Sequence, residues 1–194
     1  MALWGASDAD ESKPKNLTTA EKKEVFATAS GWVREAGSTL SGNGNVNADP
    51  EVLVAISGLA VSIGAADVTE VEWITTTADK SAGFTLSIRV RYNEAVTVTG
   101  NPTLAVTNGN QGTGSGRGPH TLVYASGSGT NELVFSLAIA AANAATNAND
   151  VLVVGAQNIA LAGGTLKDKG TSTNSAVAIS AGQGTACGSV TVVA

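Results

Sequence analysis

The sequence predicts a mainly β protein, a β-sandwich over residues 67–194 preceded by a small α+β module over residues 1–66. Three observations lead there. Small residues dominate, with 23 glycines and much Val, Thr, Ala, Ser and Asn; Val and Thr suit pleated surfaces, while Gly and Asn suit turns. Short strand-like runs recur after residue 67 with turn signals between them. Charge divides the chain: twelve of its 27 charged side chains fall in the first 50 residues, so a charged leader precedes a charge-poor body.

In the leader, residues 1–16 are polar apart from Leu3 and Trp4 and read as an extended arm. Residues 17–26 read as a short helix, because Thr18 is a natural N-cap and Glu21 follows at capping-box spacing. Ser30 to Arg34 and Glu51 to Ile56 read as two strands of a hairpin around an Asn/Gly-rich loop, Gly37 to Asp49. Ser57 to Ala66, small and apolar, reads as a link to the body.

In the body, Phe84 to Tyr92 alternates with period two. Leu86, Ile88, Val90 and Tyr92 share one face; Thr85, Ser87, Arg89 and Arg91 share the other. Further strands are expected at 68–76, 96–99, 103–107, 121–126, 131–137, 150–154, 159–161, 165–166, 177–180 and 189–193. Gly109 to Pro119 reads as a glycine-rich loop, and Gly127-Ser128-Gly129-Thr130 as a hairpin turn. Residues 138–148 are the one helix candidate of the body, but Asn interrupts the Ala run and a loop is expected. Seven or more short strands in about 125 residues fit a sandwich.

Three stretches of the body carry a resemblance. They are Leu86 to Leu104, with Tyr92-Asn93-Glu94-Ala95-Val96 and Thr99-Gly100-Asn101-Pro102-Thr103-Leu104; Tyr124 to Phe135; and Ile159 to Asp168, with Gly163-Gly164 at its centre. Together they resemble the bacterial immunoglobulin-like repeats of large surface and adhesion proteins, with Tyr92 where that family usually has Phe. The resemblance implies an Ig-like β-sandwich and says little about function, because one fold serves many uses.

The leader carries a second resemblance, on Met1-Ala2-Leu3-Trp4-Gly5, Asp8 to Lys15, Val25-Phe26-Ala27-Thr28, Gly31-Trp32-Val33 and Glu51 to Ile56. These stretches resemble the N-terminal module of virion structural proteins from large tailed phages, notably those infecting marine bacteria. That resemblance implies an attachment module carrying an exchangeable outer domain, in a protein that decorates or cements the outer capsid surface. The implied partners are the major capsid protein and further copies of the chain, with a trimer as one form. The candidate capsid contacts are Leu3, Trp4, Lys13, Lys15, Leu17, Phe26 and Trp32. Trp32 and Trp73 also read as core residues, which leaves Trp4 as the leading interface anchor, since buried aromatics dominate interface energies. The alternative is an adhesion module binding host glycans, although the loops Gly109–Pro119 and Gly127–Thr130 hold no aromatic residue.

Enzymatic readings find little support, and neither a catalytic residue nor a cofactor is expected. His120 and Cys187 are the only residues of their types, and nothing local joins them. No metal-ligand spacing occurs, and no metal is assigned; Asp150 and Asp168 with nearby Asn residues could offer calcium only a weak site. The Gly112 to Gly118 run has no closing Lys-Ser/Thr of a phosphate loop. Ser126-Gly127-Ser128-Gly129 falls in a hairpin, not in the strand–helix turn of a nucleophile elbow. The carboxylates after residue 50 are scattered, so a glycoside-cleaving pair is not expected. A net charge of −5 argues against gripping nucleic acid or anionic membranes. The start lacks the basic and apolar regions of a secretory signal. The expected location is the virion, reached from the host cytoplasm.

Overall fold

A computed structural model describes residues 13–14, 16–42, 44–109, 119–143 and 146–194 of the chain. The leader begins with helix α1 (Thr19–Lys23). Thr18 caps it as expected: its hydroxyl accepts from Glu21 N, and Glu21 Oε2 accepts from Thr18 N at 2.8 Å. The helix is shorter than the sequence suggested. Val25 and Phe26, read as its last turn, open strand β1 (Val25–Thr28) instead. A five-residue helix cannot propagate on its own, and burying the alternating Val25 and Ala27 side chains favours the strand.

Strand β1 pairs antiparallel with β2 (Gly31–Arg34), and β2 pairs antiparallel with β3 (Glu51–Ala55), the expected hairpin. Gly31 is required where the three strands meet. Its φ is +130°, and a Cβ there would lie 2.0 Å from the carbonyl oxygen of Val54. The expected link at 57–66 contains a helical turn, α2 (Leu59–Ser62), whose Leu59 inserts beside Val25, Ala27 and Trp32. These four buried side chains form a small core separate from the main one.

The body runs through β4 (Val68–Trp73), β5 (Ala78–Asp79), β6 (Phe84–Thr99), β7 (Thr103–Gly109), β8 (His120–Ser126), β9 (Thr130–Ile139), β10 (Val151–Val153), β11 (Gln157–Asn158), β12 (Thr165–Asp168), β13 (Ala178–Ile179), helix α3 (Ala181–Cys187) and β14 (Ser189–Val193). The strand order is β4-β6-β9-β8 in one layer and β7-β10-β14 in the other. This is the order of an immunoglobulin-like Greek-key sandwich, with β7 bonded to both β8 and β10 along one side. Leu86, Ile88 and Phe135 from the first layer meet Leu104, Leu152 and Val192 from the second, all at most 1% exposed. Each such side chain contributes about 1.5–3 kcal/mol through burial.

Several boundaries differ from the sequence reading. Phe84–Tyr92 and Val96–Thr99 belong to one strand, β6, whose register against β9 shifts between Arg91 and Val96. Past that irregularity β12 pairs with it, from Thr165 opposite Thr99 to Asp168 opposite Val96. Tyr92 is buried like its alternating partners, and its hydroxyl donates to Ala176 O at 3.0 Å. Among the described residues the helix of the body is α3, and β9 takes the start of the Ala-rich run, to Ile139. Most of the Gly109–Pro119 loop lies outside the described residues.

Leader and sandwich share one sheet. Ala27 of β1 lies parallel and opposite Glu94 of β6, so the order continues β3-β2-β1-β6. Ala66, the last residue assigned to the leader, is already part of the large core.

Candidate attachment surface and the seam beside it

The residues proposed to touch a capsid take different positions. Leu3, Trp4 and Lys15 lie outside the described residues. Trp32 is fully buried beside Val25, Ala27 and Leu59, so its indole is core and is not offered to a partner. That corrects its place among the contacts: β2 is the middle strand of the leader sheet, and α2 covers the face on which Trp32 stands. Lys13 is also turned inward, with Nζ donating to Lys22 O at 2.7 Å. Leu17 is half-buried against the small core, and Phe26 is half-buried.

Four large apolar side chains of the leader face solvent instead: Leu40 (49% exposed), Val46 (72%), Val52 (53%) and Val61 (59%). Sequence reasoning passed over them. Leu40 and Val46 lie in the stretch read as a polar loop, and Val61 in the stretch read as a link. Val52 is on β3, where a shift of register against β2 between Trp32 and Val33 disturbs simple alternation.

Charged groups gather where the leader meets the sandwich. Arg91 of β6, only 5% exposed, lies 3.1 Å from Glu35 of the leader, 2.8 Å from Glu132 of β9 and 3.4 Å from Glu72 of β4. Arg89 adds contacts to Glu72 at 2.8 Å and Glu132 at 3.5 Å. Lys23, at the end of α1, pairs with Glu70 of β4. Burial pushes the Glu35 carboxyl up to about 8; Arg91 opposes this, while Glu132 and Glu24 add to it. Glu35 and Glu132 thus meet at the same guanidinium, that of Arg91.

A second carboxyl pair stands at the β1–β6 contact. Glu94 and Asp168 are each 1% exposed. Asp168 Oδ1 accepts from Gly170 N at 2.5 Å and Thr171 N at 3.0 Å, which organises the turn after β12. Neither oxygen of Glu94 receives a donor, nor does Asp168 Oδ2. Burial, then the neighbouring Asp168 and Asp67, push Glu94 up to about 8. Burial beside other acids thus favours the protonated form of Glu94 at neutral pH.

The other titratable groups are structural in their contacts. Asp150 accepts from Asn147 N at 2.7 Å and Asn108 Nδ2 at 2.9 Å, fixing the loop before β10. His120 Nε2 lies 3.3 Å from Thr146 Oγ1; burial lowers its pKa against the pull of Asp150, which favours the neutral ring. Burial pushes the Cys187 thiol up to about 11, away from the reactive thiolate. Among the described residues, no three His, Cys, Asp or Glu side chains converge as a metal site. Likewise, no helix among them is long and apolar enough to cross a membrane.

Fold and surface together define an Ig-like β-sandwich with a small α+β module built onto its sheet. No protein-family model, curated protein or solved structure matches the chain.

Proposed function

We propose that the chain is a non-enzymatic virion structural protein that decorates or cements the outer capsid of a tailed phage. The leader is the attachment module, and the sandwich projects outward. The observation that carries this reading is the placement of Leu40, Val46, Val52 and Val61 on a module that already has its own core. These solvent-facing apolar side chains lie outside that core and are open to a partner. The resemblance of the leader to phage virion modules points the same way and names the major capsid protein as the partner, with other copies of the chain in the lattice. Binding is non-covalent and uses neither cofactor, nucleic acid nor membrane. Repetition over a symmetric lattice multiplies a modest affinity per copy.

The test uses capsids of the encoding phage lacking this protein. Added full-length chain should co-sediment with them and saturate at a stoichiometry fixed by the lattice. Removing residues 1–16 should abolish binding while the sandwich keeps its unfolding transition. Trp4→Ala should weaken it. Absence of binding by the intact chain, or full occupancy after the deletion, overturns the proposal.

A further inference from the structure

We propose that Glu94, Asp168 and Ser175 form a buried calcium site inside the sandwich, at the end nearest the leader. Four oxygen atoms there are out of water and without a hydrogen-bond partner: both carboxylate oxygens of Glu94, Oδ2 of Asp168 and Oγ of Ser175. Their residues are 1%, 1% and 6% exposed. Buried polar atoms are nearly always partnered, and a bound ion satisfies several acceptors at once.

Strand pairing brings the three residues to one face. Asp168 stands opposite Val96 in the β6–β12 ladder. Lys169 N donates to Ala95 O at 2.9 Å, so the pairing runs on to the residue beside Glu94. Opposite residues share a face, and diagonal neighbours stay within reach of long side chains. Glu94 and Val96 are both buried, with half-buried Ala95 between them, which puts Glu94 and Asp168 on the same inner face. Ser175 enters from the segment after β12. Lys167 bridges Asn174, Ser175 N donates to Leu166 O at 3.0 Å, and Asp168 N donates to Thr173 O at 2.9 Å. Ser175 is thus opposite Leu166 and turned to the side that Leu166 and Asp168 share. Its neighbour Ala176 accepts from the hydroxyl of Tyr92, which stands two residues before Glu94 in the same core. The segment therefore closes over the stretch of β6 that carries Glu94.

The chemistry of these atoms selects the ligand. Among the described residues no Lys or Arg forms an ion pair with Glu94 or Asp168. A divalent cation matches the charge of two carboxylates, and hard oxygen donors suit calcium or magnesium. Magnesium keeps several waters in a strict octahedron, whereas calcium accepts about 6–8 oxygens in a flexible arrangement, so a site buried this deeply favours calcium. Backbone carbonyls and water complete the shell. A calcium ion held there cross-links β6, β12 and the segment that follows. It also fixes the turn on which the leader rests, since a Cβ on Gly170 would stand 3.0 Å from Ala60 O in α2. The site belongs to the sandwich and is independent of docking on a capsid.

Calcium added to the full chain after chelation tests this. The titrations are run at pH 8, where the proton that burial favours on Glu94 competes least. At tenfold excess over its Kd, calcium should lower the unfolding constant about elevenfold and raise the melting temperature. Magnesium at the same concentration should do less. Glu94→Gln and Asp168→Asn keep the side-chain shape and should abolish the shift, and Ser175→Ala should weaken it. If the variants fold poorly, terbium luminescence of the wild type reads the site directly. Emission sensitised by nearby Tyr92 should saturate at a single equivalent and fall when calcium is added. No stabilisation of the wild type by calcium up to about 10 mM, well past the weak limit for calcium modules, overturns the site. So does a calcium shift that survives in Glu94→Gln, which would place the ion elsewhere, or terbium emission that calcium leaves unchanged.

Discussion

Gln183, on the first turn of α3, donates through Nε2 to the carbonyl oxygen of Val68 on β4 at 2.6 Å. The same side chain accepts from Ser180 N at 2.8 Å, so one glutamine both caps a helix and seals the outer edge of the first sandwich strand. Gln183→Ala should therefore lose two bonds at once, a cap worth about 1 kcal/mol and an edge bond of similar size. Urea unfolding should show a lower midpoint at unchanged slope, corresponding to about 2 kcal/mol. A loss within about 0.5 kcal/mol, the scale of ordinary surface changes, would mean that the edge needs no seal.

That helix also marks the limit of what the sequence made legible. Ser180 and Gln183 stand at the same spacing as Thr18 and Glu21, whose capping box was recognised. The second box was hidden because Gly182 and Gly184 give its helix poor intrinsic propensity. Gly184 packs against Gly155, where a Cβ would stand 3.0 Å from backbone, so tertiary packing overrides propensity. The period-two face of Phe84–Tyr92 was readable because one side is fully buried. Its Arg91 belonged to the face read as outward, yet it is 5% exposed beneath Glu35, Glu72 and Glu132. Pairing of distant charges leaves no local pattern. The Glu94–Asp168 pair was invisible for the same reason, since 74 positions separate residues that the β6–β12 pairing brings together.

Trp32 is the largest side chain of the small core, so its truncation should separate the two modules energetically. Trp32→Ala should cost about 3–5 kcal/mol of leader stability. Hydrogen exchange should then show amides of β1–β3 losing protection, while the centres of β6 and β9, built on Leu86, Ile88 and Phe135, keep most of theirs. Equal loss in both regions would show that the two clusters unfold as one unit.

Gly31 is held where no other residue fits. Gly31→Ala must accept φ near +130° and a Cβ 2.0 Å from Val54 O, so β3 has to move away from β2. The strain of such a backbone is of order 1–3 kcal/mol, with loss of the β2–β3 bonds added to it. The variant should lower the melting temperature, and its NMR shift changes should concentrate in 25–35 and 51–56. An alanine variant as stable as the wild type would exclude the close approach.

Among the described residues Arg91 is the cation that Glu35, Glu72 and Glu132 all share, with Arg89 also reaching the last two, and its removal should be felt most at alkaline pH. The guanidinium stays charged because these acids outweigh the burial that opposes it. Arg91→Gln leaves three carboxylates crowded without it, and breaking a buried pair in this way costs about 3–5 kcal/mol when desolvation is complete. The acids here keep part of their hydration, so a cost near the lower limit, about 3 kcal/mol at pH 8, is expected. Arg91 lowers the pKa of Glu35, so in its absence that carboxyl holds its proton to higher pH. At pH 4 Glu35 carries little charge in either protein, and the difference between variant and wild type should shrink below its value at pH 8. Denaturant unfolding at the two pH values measures both numbers. A deficit that stays constant would assign the role of Arg91 to packing of its stem and not to charge.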